Sequence, residues 1–256
     1  MSGACMSNEP KKSWIIGASS GIGAALAEQL AEKGEVLCLS ARSEQKLVDL
    51  QQKLPIAGDM CHLSLPCDVA DHQQIHEAVN HLKKAWQRID RVIFMAGLYD
   101  PATLDDLEPQ VIHKIIDVNL KAVFFLLYEI LPVMKRQKSG QIVLCASVAG
   151  YRGLPNAQPY GASKAAMINL AETLRAEKGH ELDIKVINPG FVESHLTEKN
   201  NFHMPMKISA QQAAASIVRD LDRKKFEIHF PKRFTYLMKL LQILPYGLYF
   251  RMVKKR

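Results

Sequence analysis

Several features that would each mark a function class are scarce or missing in this sequence. No apolar run approaches the roughly 18 residues that a membrane-spanning helix requires, so no span is expected. The opening stretch, MSGACMSNEPKKSW, has no apolar segment of the kind a secretory signal carries, and none is expected there. The five cysteines (Cys5, Cys38, Cys61, Cys67 and Cys145) are scattered, odd in number and never spaced CxxC. That pattern argues against a disulfide frame or a zinc site and for reduced thiols in a cytoplasmic protein. Acidic residues are absent beyond Glu227, where the chain still carries seven basic ones: Lys232, Arg233, Lys239, Arg251, Lys254, Lys255 and Arg256. The first 227 residues therefore balance, and the net charge of +7 belongs to the tail. A basic balance of that origin is no argument for nucleic-acid binding, and no nucleic-acid partner is expected.

The 256 residues, 48% of them hydrophobic, suit one large α/β domain. Strand-length apolar runs at 13–19, 35–41, 62–69, 90–97, 141–150, 183–190 and 225–230 alternate with helical patterns. The helices are expected at 21–33, 44–54, 71–86, 109–136, 160–178 and 209–221. No internal repeat, low-complexity tract or linker interrupts the series. This order predicts a doubly wound, Rossmann-like parallel sheet of about seven strands, covered by helices on both faces. Residues 1–10 are expected to be a flexible N-terminus, 11–230 the catalytic domain and 231–256 a basic amphipathic extension. In such sheets the ligand lies beyond the carboxyl ends of the strands.

The segment GASSGIG (17–23) follows the first strand and opens the first helix. Gly17, Gly21 and Gly23 allow a tight turn and let a pyrophosphate approach without a Cβ in the way. The free N–H groups of the helix start then attract the anion. A plain glycine turn would look similar, but the strand–turn–helix setting favours a nucleotide. Eighteen residues after Gly23 the second strand ends in Ser40, Ala41 and Arg42. No carboxylate stands there to bind a free ribose 2′-hydroxyl, and a guanidinium is adjacent. NADP is thus expected over NAD, unless Arg42 is only a surface charge.

In PYGASKAAM (159–167), Tyr160 and Lys164 lie one helical turn apart. Hydride transfer to a carbonyl leaves an alkoxide that needs a proton. A phenol, with an ordinary pKa of about 10, exchanges protons poorly at neutral pH. An ammonium on the same helix face favours phenolate, as does an oxidised nicotinamide ring. Ser147, thirteen residues before Tyr160, is placed to hydrogen-bond the carbonyl oxygen. Each residue has a plainer reading. Ser147 caps a turn, Asn119 satisfies a backbone contact, and Tyr160 is a helix-start aromatic.

The glycine turn, Asn119, Ser147 and the Tyr160–Lys164 pair together resemble the short-chain dehydrogenase/reductase family over nearly all of residues 11–230. The resemblance implies that Tyr160 is the general acid/base and that Lys164 also holds the nicotinamide ribose. It implies that Asn119 holds a water linked to Lys164. Cofactor contacts are implied at Gly17, Ser19, Ser20, Gly21, Ile22, Gly23, Ala41 and Arg42. Further ones are implied at Asp68 and Val69, at Ala96 and Gly97, at Tyr160 and Lys164, and at Pro189, Gly190, Val192 and Ser194. Two departures stand out. Met95 replaces the second asparagine of the family's N-N-A-G, read here as a packing change, and Ser194 stands where Thr is usual.

His72 and His76 lie four apart on an expected helix but lack an apparent third ligand, so no metal site is expected. The substrate pocket is expected from Leu98 and Tyr99, from 148–159 with Ala149, Tyr151 and Leu154, and from 191–207. The last segment offers Phe191, Leu196, Phe202, Met204 and Met206. Their character implies an apolar substrate. Phe234, Leu237, Met238, Leu241 and Leu244 fit one helical face in the tail. That tail suits an anionic membrane surface, a cover for the pocket or a subunit interface. The leading expectation is an NADP(H)-dependent oxidoreductase of apolar ketones, aldehydes or alcohols, acting as a homodimer or homotetramer. A reductase of 3-oxoacyl groups on a carrier or CoA, and a catalytically silent NADP-binding sensor, are the alternatives.

Overall fold

The computed structural model describes residues 9–198 and 204–253. Most of the expected N-terminal segment, Phe202 and the final Lys254, Lys255 and Arg256 lie outside the described residues. Strands β1 (Lys12–Ile16), β2 (Val36–Ser40), β3 (Leu63–Ser64), β4 (Arg91–Phe94), β5 (Gln141–Cys145), β6 (Asp183–Pro189) and β7 (Glu227–Phe230) form one sheet. Its order is β3-β2-β1-β4-β5-β6-β7, and every pairing is parallel. The order reverses between β1 and β4, which opens a crevice at their carboxyl ends.

Helices α1 (Gly21–Glu32), α2 (Glu44–Gln51) and, after the short α7 (His195–Glu198), α8 (Ala210–Leu221) cover one face. Helices α3 (His72–Trp86), α5 (Ala122–Gln137) and α6 (Tyr160–Lys178) cover the other. Alternation along each strand supplies both cores. Trp14 and Ile16, Val92 and Phe94, Ile142 and Leu144 face α3, α5 and α6. Ile15, Ile93 and Val143 face α1, α2 and α8. A smaller cluster of Val148, Tyr151, Phe234 and Met238 lies under the C-terminal helix α9 (Lys232–Ile243), which α10 (Tyr246–Val253) follows.

Three elements differ from expectation. The strand expected over 62–69 is reduced to β3, because Pro66 has no N–H to donate. Its neighbours Leu65 and Cys67 still donate to the carbonyls of Leu39 and Ala41 at 2.9 Å. The long helix expected over 109–136 is split into α4 (Pro109–Ile116), a π-helical turn (Asp117–Lys121) and α5. In the tail, Leu237 is exposed, while Phe234, Thr235 and Met238 form the buried face.

Candidate active site

The carboxyl ends of the strands enclose one elongated cavity of about 980 Å³. At one end lies the first turn, with Gly17, Ser19, Ser20, Gly21, Ile22 and Gly23 along its wall. The three glycines do different jobs. A Cβ on Gly17 would meet the Ala96 nitrogen at 2.5 Å, and one on Gly23 would meet the Gly17 carbonyl oxygen at 2.1 Å. These two let the turn pack against β4 and against itself. Gly21, at φ +56°, would meet only the Ser194 side chain at 3.4 Å, so it keeps the backbone bare towards the cavity. Helix α1 begins there, with its first N–H groups unpaired within the helix.

Ala41 and Arg42 line the cavity just past β2, and Lys46 from α2 joins them. Lys46 was missed from sequence because only the turn between β2 and α2 brings it beside Arg42. Asp68 and Val69 line the wall beyond β3, where the Asp68 carboxylate accepts from the Ala70 N–H at 3.0 Å. Ala96 and Gly97 follow β4 along the floor. Met95 lines the cavity as well, and its N–H still donates to the Ile16 carbonyl at 2.8 Å, so the main-chain tie survives loss of the amide. Pro189, Gly190, Val192 and Ser194 close the far side. A Cβ on Gly190 would strike the Phe234 ring at 2.7 Å, which shows how closely α9 approaches the end of β6. Bare backbone at a helix start and small residues along the floor fit a dinucleotide.

Ser147, Tyr160 and Lys164 meet on one wall. Ser147 caps the short 3₁₀ turn Val148–Gly150, its hydroxyl accepting from the Ala149 N–H at 3.1 Å. The same hydroxyl lies close enough to the Tyr160 phenol to favour its ionised form, and the turn-capping reading of Ser147 holds. Lys164 is buried and donates to the Cys145 carbonyl at 2.7 Å, with its ammonium 5.6 Å from the Tyr160 ring centre. Burial pushes the phenol above its ordinary value, against the Ser147 hydroxyl. Burial likewise pushes Lys164 down. Burial of the phenol thus acts against the lowering expected from the YxxxK spacing, because desolvation disfavours the charged form.

Asn119 is fully buried in the π-helical turn and does not line the cavity. Its amide spans the backbone of Leu98, accepting from the N–H at 2.7 Å and donating to the carbonyl at 2.9 Å, and it also donates to the Ser163 hydroxyl at 3.1 Å. Asn119 therefore fixes the loop after β4 through its backbone. A π-helical turn with a polar side chain aimed inward is a common device near functional sites.

Of the expected substrate residues, Leu98, Tyr99, Ala149, Leu154, Phe191 and Leu196 line the cavity. Tyr151 does not: its phenol donates to Glu227 at 2.5 Å and its ring packs in the cluster under α9. Met204 and Met206 lie away from the lining. Phe234 and Met238 of α9 belong to it instead. The Tyr99 ring meets that of Tyr160 edge-on at 4.9 Å.

His72 and His76 reach across to the neighbouring helix. They bond opposite oxygens of Glu129 on α5, at 2.8 and 3.0 Å. Among the described residues no cluster of three or more ligating side chains suits a metal ion. No helix among them is long and apolar enough to cross a membrane.

Comparison with known proteins agrees with this geometry. The short chain dehydrogenase family matches residues 11–204. An uncharacterised oxidoreductase of Mycobacterium tuberculosis is 32% identical over 239 residues, covering 92% of this chain and 94% of its own length. A short-chain dehydrogenase/reductase of Burkholderia phymatum, solved with NAD, superposes with a TM-score of 0.82 at 23% identity, covering 91% of this chain and 92% of its own. One from Burkholderia cenocepacia, solved with NADP, gives 0.82 at 22% identity, covering 96% and 99%. The chain belongs to the short-chain dehydrogenase/reductase family. It is an oxidoreductase acting on CH–OH and C=O groups.

Proposed function

We propose that this enzyme reduces an apolar ketone or aldehyde with NADPH, and oxidises the matching alcohol in reverse. The reading rests on one observation: a single cavity has Ser147, Tyr160 and Lys164 on one wall and Arg42 with Lys46 at its opposite rim. The glycine turn and the start of α1 would hold the pyrophosphate, and Arg42 and Lys46 a 2′-phosphate. Asp68 and Val69 would border the adenine, and Pro189 and Gly190 the nicotinamide. When bound, the cofactor supplies or accepts the hydride.

The chain's own residues do the rest. The Ser147 hydroxyl donates to the carbonyl oxygen and stabilises the charge that develops there. Tyr160 gives its proton to that oxygen in reduction and takes it back in oxidation. The protonated phenol is the form that donates in reduction, and the phenolate the form that accepts in oxidation. Lys164 holds the ribose and sets the charge behind the phenol. Asn119 acts as a positioning residue through Leu98. Leu98, Tyr99, Ala149, Leu154 and Phe191, with Phe234 and Met238, offer an apolar surface without a fixed charge, which suits a neutral carbonyl. The extension 231–256 contributes to that surface through α9 and makes peripheral contact with membrane. Exposed Phe124 and Tyr128 on α5 support a homodimer or homotetramer, which sedimentation would resolve.

The test is NADPH oxidation by the purified protein against apolar ketones, aldehydes and 3-oxoacyl thioesters, beside Tyr160→Phe. Tyrosine-dependent turnover is expected with the first two classes. Turnover undiminished in Tyr160→Phe would remove the proton-donor role. NADPH binding with silence across the panel would favour the sensor.

A further inference from the structure

Large hydrophobic side chains are exposed mainly at one place. Of thirteen among the described residues, eight lie between 236 and 252. On α9, Tyr236, Leu240 and Ile243 recur at helical spacing, and Ile243 is 77% exposed. The opposite side of the same helix sends Phe234 and Met238 into the cavity wall. Helix α10 adds Tyr246, 72% exposed, and Phe250. The two helices are fastened together by Arg152. Its guanidinium donates to the carbonyls of Leu241 at 2.6 Å and Leu244 at 2.7 Å, and lies 3.9 Å from the Tyr249 ring centre.

Charge selects what covers this face. Arg233 and Arg251 are exposed among the apolar side chains, and no acidic residue occurs after Glu227. Lys239 is already spent on Glu227. A second copy meeting this face about a two-fold axis would set arginine against arginine without a carboxylate. Anionic headgroups above an apolar layer complement both features at once.

We propose that α9 and α10 dock this protein on an anionic lipid surface, so that one helix separates the bilayer from the substrate cavity. The corollary rests on the function proposed above: the natural carbonyl compound is dissolved in the membrane and enters beside α9.

The experiment is sedimentation with vesicles of phosphatidylcholine plus phosphatidylglycerol, and with phosphatidylcholine alone. The protein is expected to sediment with the anionic vesicles and to be released by salt. Arg233→Glu/Arg251→Glu and Leu240→Ser/Ile243→Ser/Phe250→Ser should each weaken that binding roughly tenfold or more. Both variants should reduce a water-soluble aldehyde as the parent does, which shows them folded, and should be slower on a ketone carried in vesicles. Failure to sediment, equal sedimentation with neutral vesicles, or variants that bind as the parent does would overturn the docking. So would a dimer that becomes monomeric in the triple serine variant without lipid. Vesicle binding as expected, with no carbonyl reduced in any form, would sink the functional reading alone and leave the docking standing.

Discussion

The two ends of the same sheet treat buried polar groups in opposite ways. At the amino ends of the strands, Arg91 donates to both oxygens of Glu35 at 2.7 and 2.9 Å and to Asp222 at 2.7 Å. Ser13 and Gln141 join the network, and Lys185 donates to the carbonyls of Arg223 and Lys225 at 2.5 and 2.8 Å. Each group there is spent on another part of the protein. At the carboxyl ends, Ser147 and Lys164 are buried and Tyr160 is half-buried, yet all three face a cavity. The first arrangement closes the fold. The second keeps hydrogen-bonding capacity in reserve and leaves desolvation partly uncompensated, and burial accordingly pushes Tyr160 up and Lys164 down.

Substitutions at the two ends should therefore fail differently. Tyr160→Phe should cut turnover by about 10²–10⁴-fold while denaturant unfolding moves by only about 1 kcal/mol. A large loss of stability would place Tyr160 with the closed network instead. Arg91→Met leaves Glu35 buried without its cation and should cost about 3–5 kcal/mol. Urea titration measures it, and NADPH affinity of the folded fraction should be unchanged. Arg42→Ala and Lys46→Ala should each weaken NADPH by about tenfold and leave NADH alone, read by fluorescence titration. Equal loss for both cofactors would remove the 2′-phosphate assignment.

The smallest effect sharpens the boundary between the two roles. His229, at the carboxyl end of β7, bonds the Thr235 hydroxyl at 2.6 Å under α9. Burial, helped by Lys239 and Lys232, pushes its pKa down to about 4 from 6.5. Between those values the unfolded chain binds more protons, so stability falls as pH drops from 6.5 towards 4. Thermal unfolding at pH 7 and pH 5 should show a loss on the order of 1 kcal/mol, which His229→Gln should largely abolish. An unchanged difference would mean that His229 is not the titrating group.

The parallel sheet of seven strands and the glycine turn after the first of them were legible because they depend on short-range regularities. Two-residue alternation splits Ile15 from Trp14 and Ile16, and the glycine spacing marks the first turn. The departures came from contacts between segments far apart in the chain. Nothing near Tyr151 says that its phenol seeks Glu227 rather than the cavity. Glu129 is more than fifty residues from His72 and His76, so spacing could not show the pair already partnered. The π-helical turn at Asn119 follows from the demands of Leu98's backbone, which no periodicity in 109–136 displays. Desolvation, which fixes the sign of the Tyr160 shift, depends on the whole surrounding wall.

Arg152 has one more consequence, and it concerns the order in which the chain is made. It follows Ser147 by five residues but bonds carbonyls 89 to 92 positions later. On a ribosome the dinucleotide half emerges and begins to fold well before those partners exist. The segment carrying Ser147 and Gly150 must wait for α9 and α10 before its far end is fastened. Competence to handle a substrate then waits on the emergence of α9 and α10 from the exit tunnel.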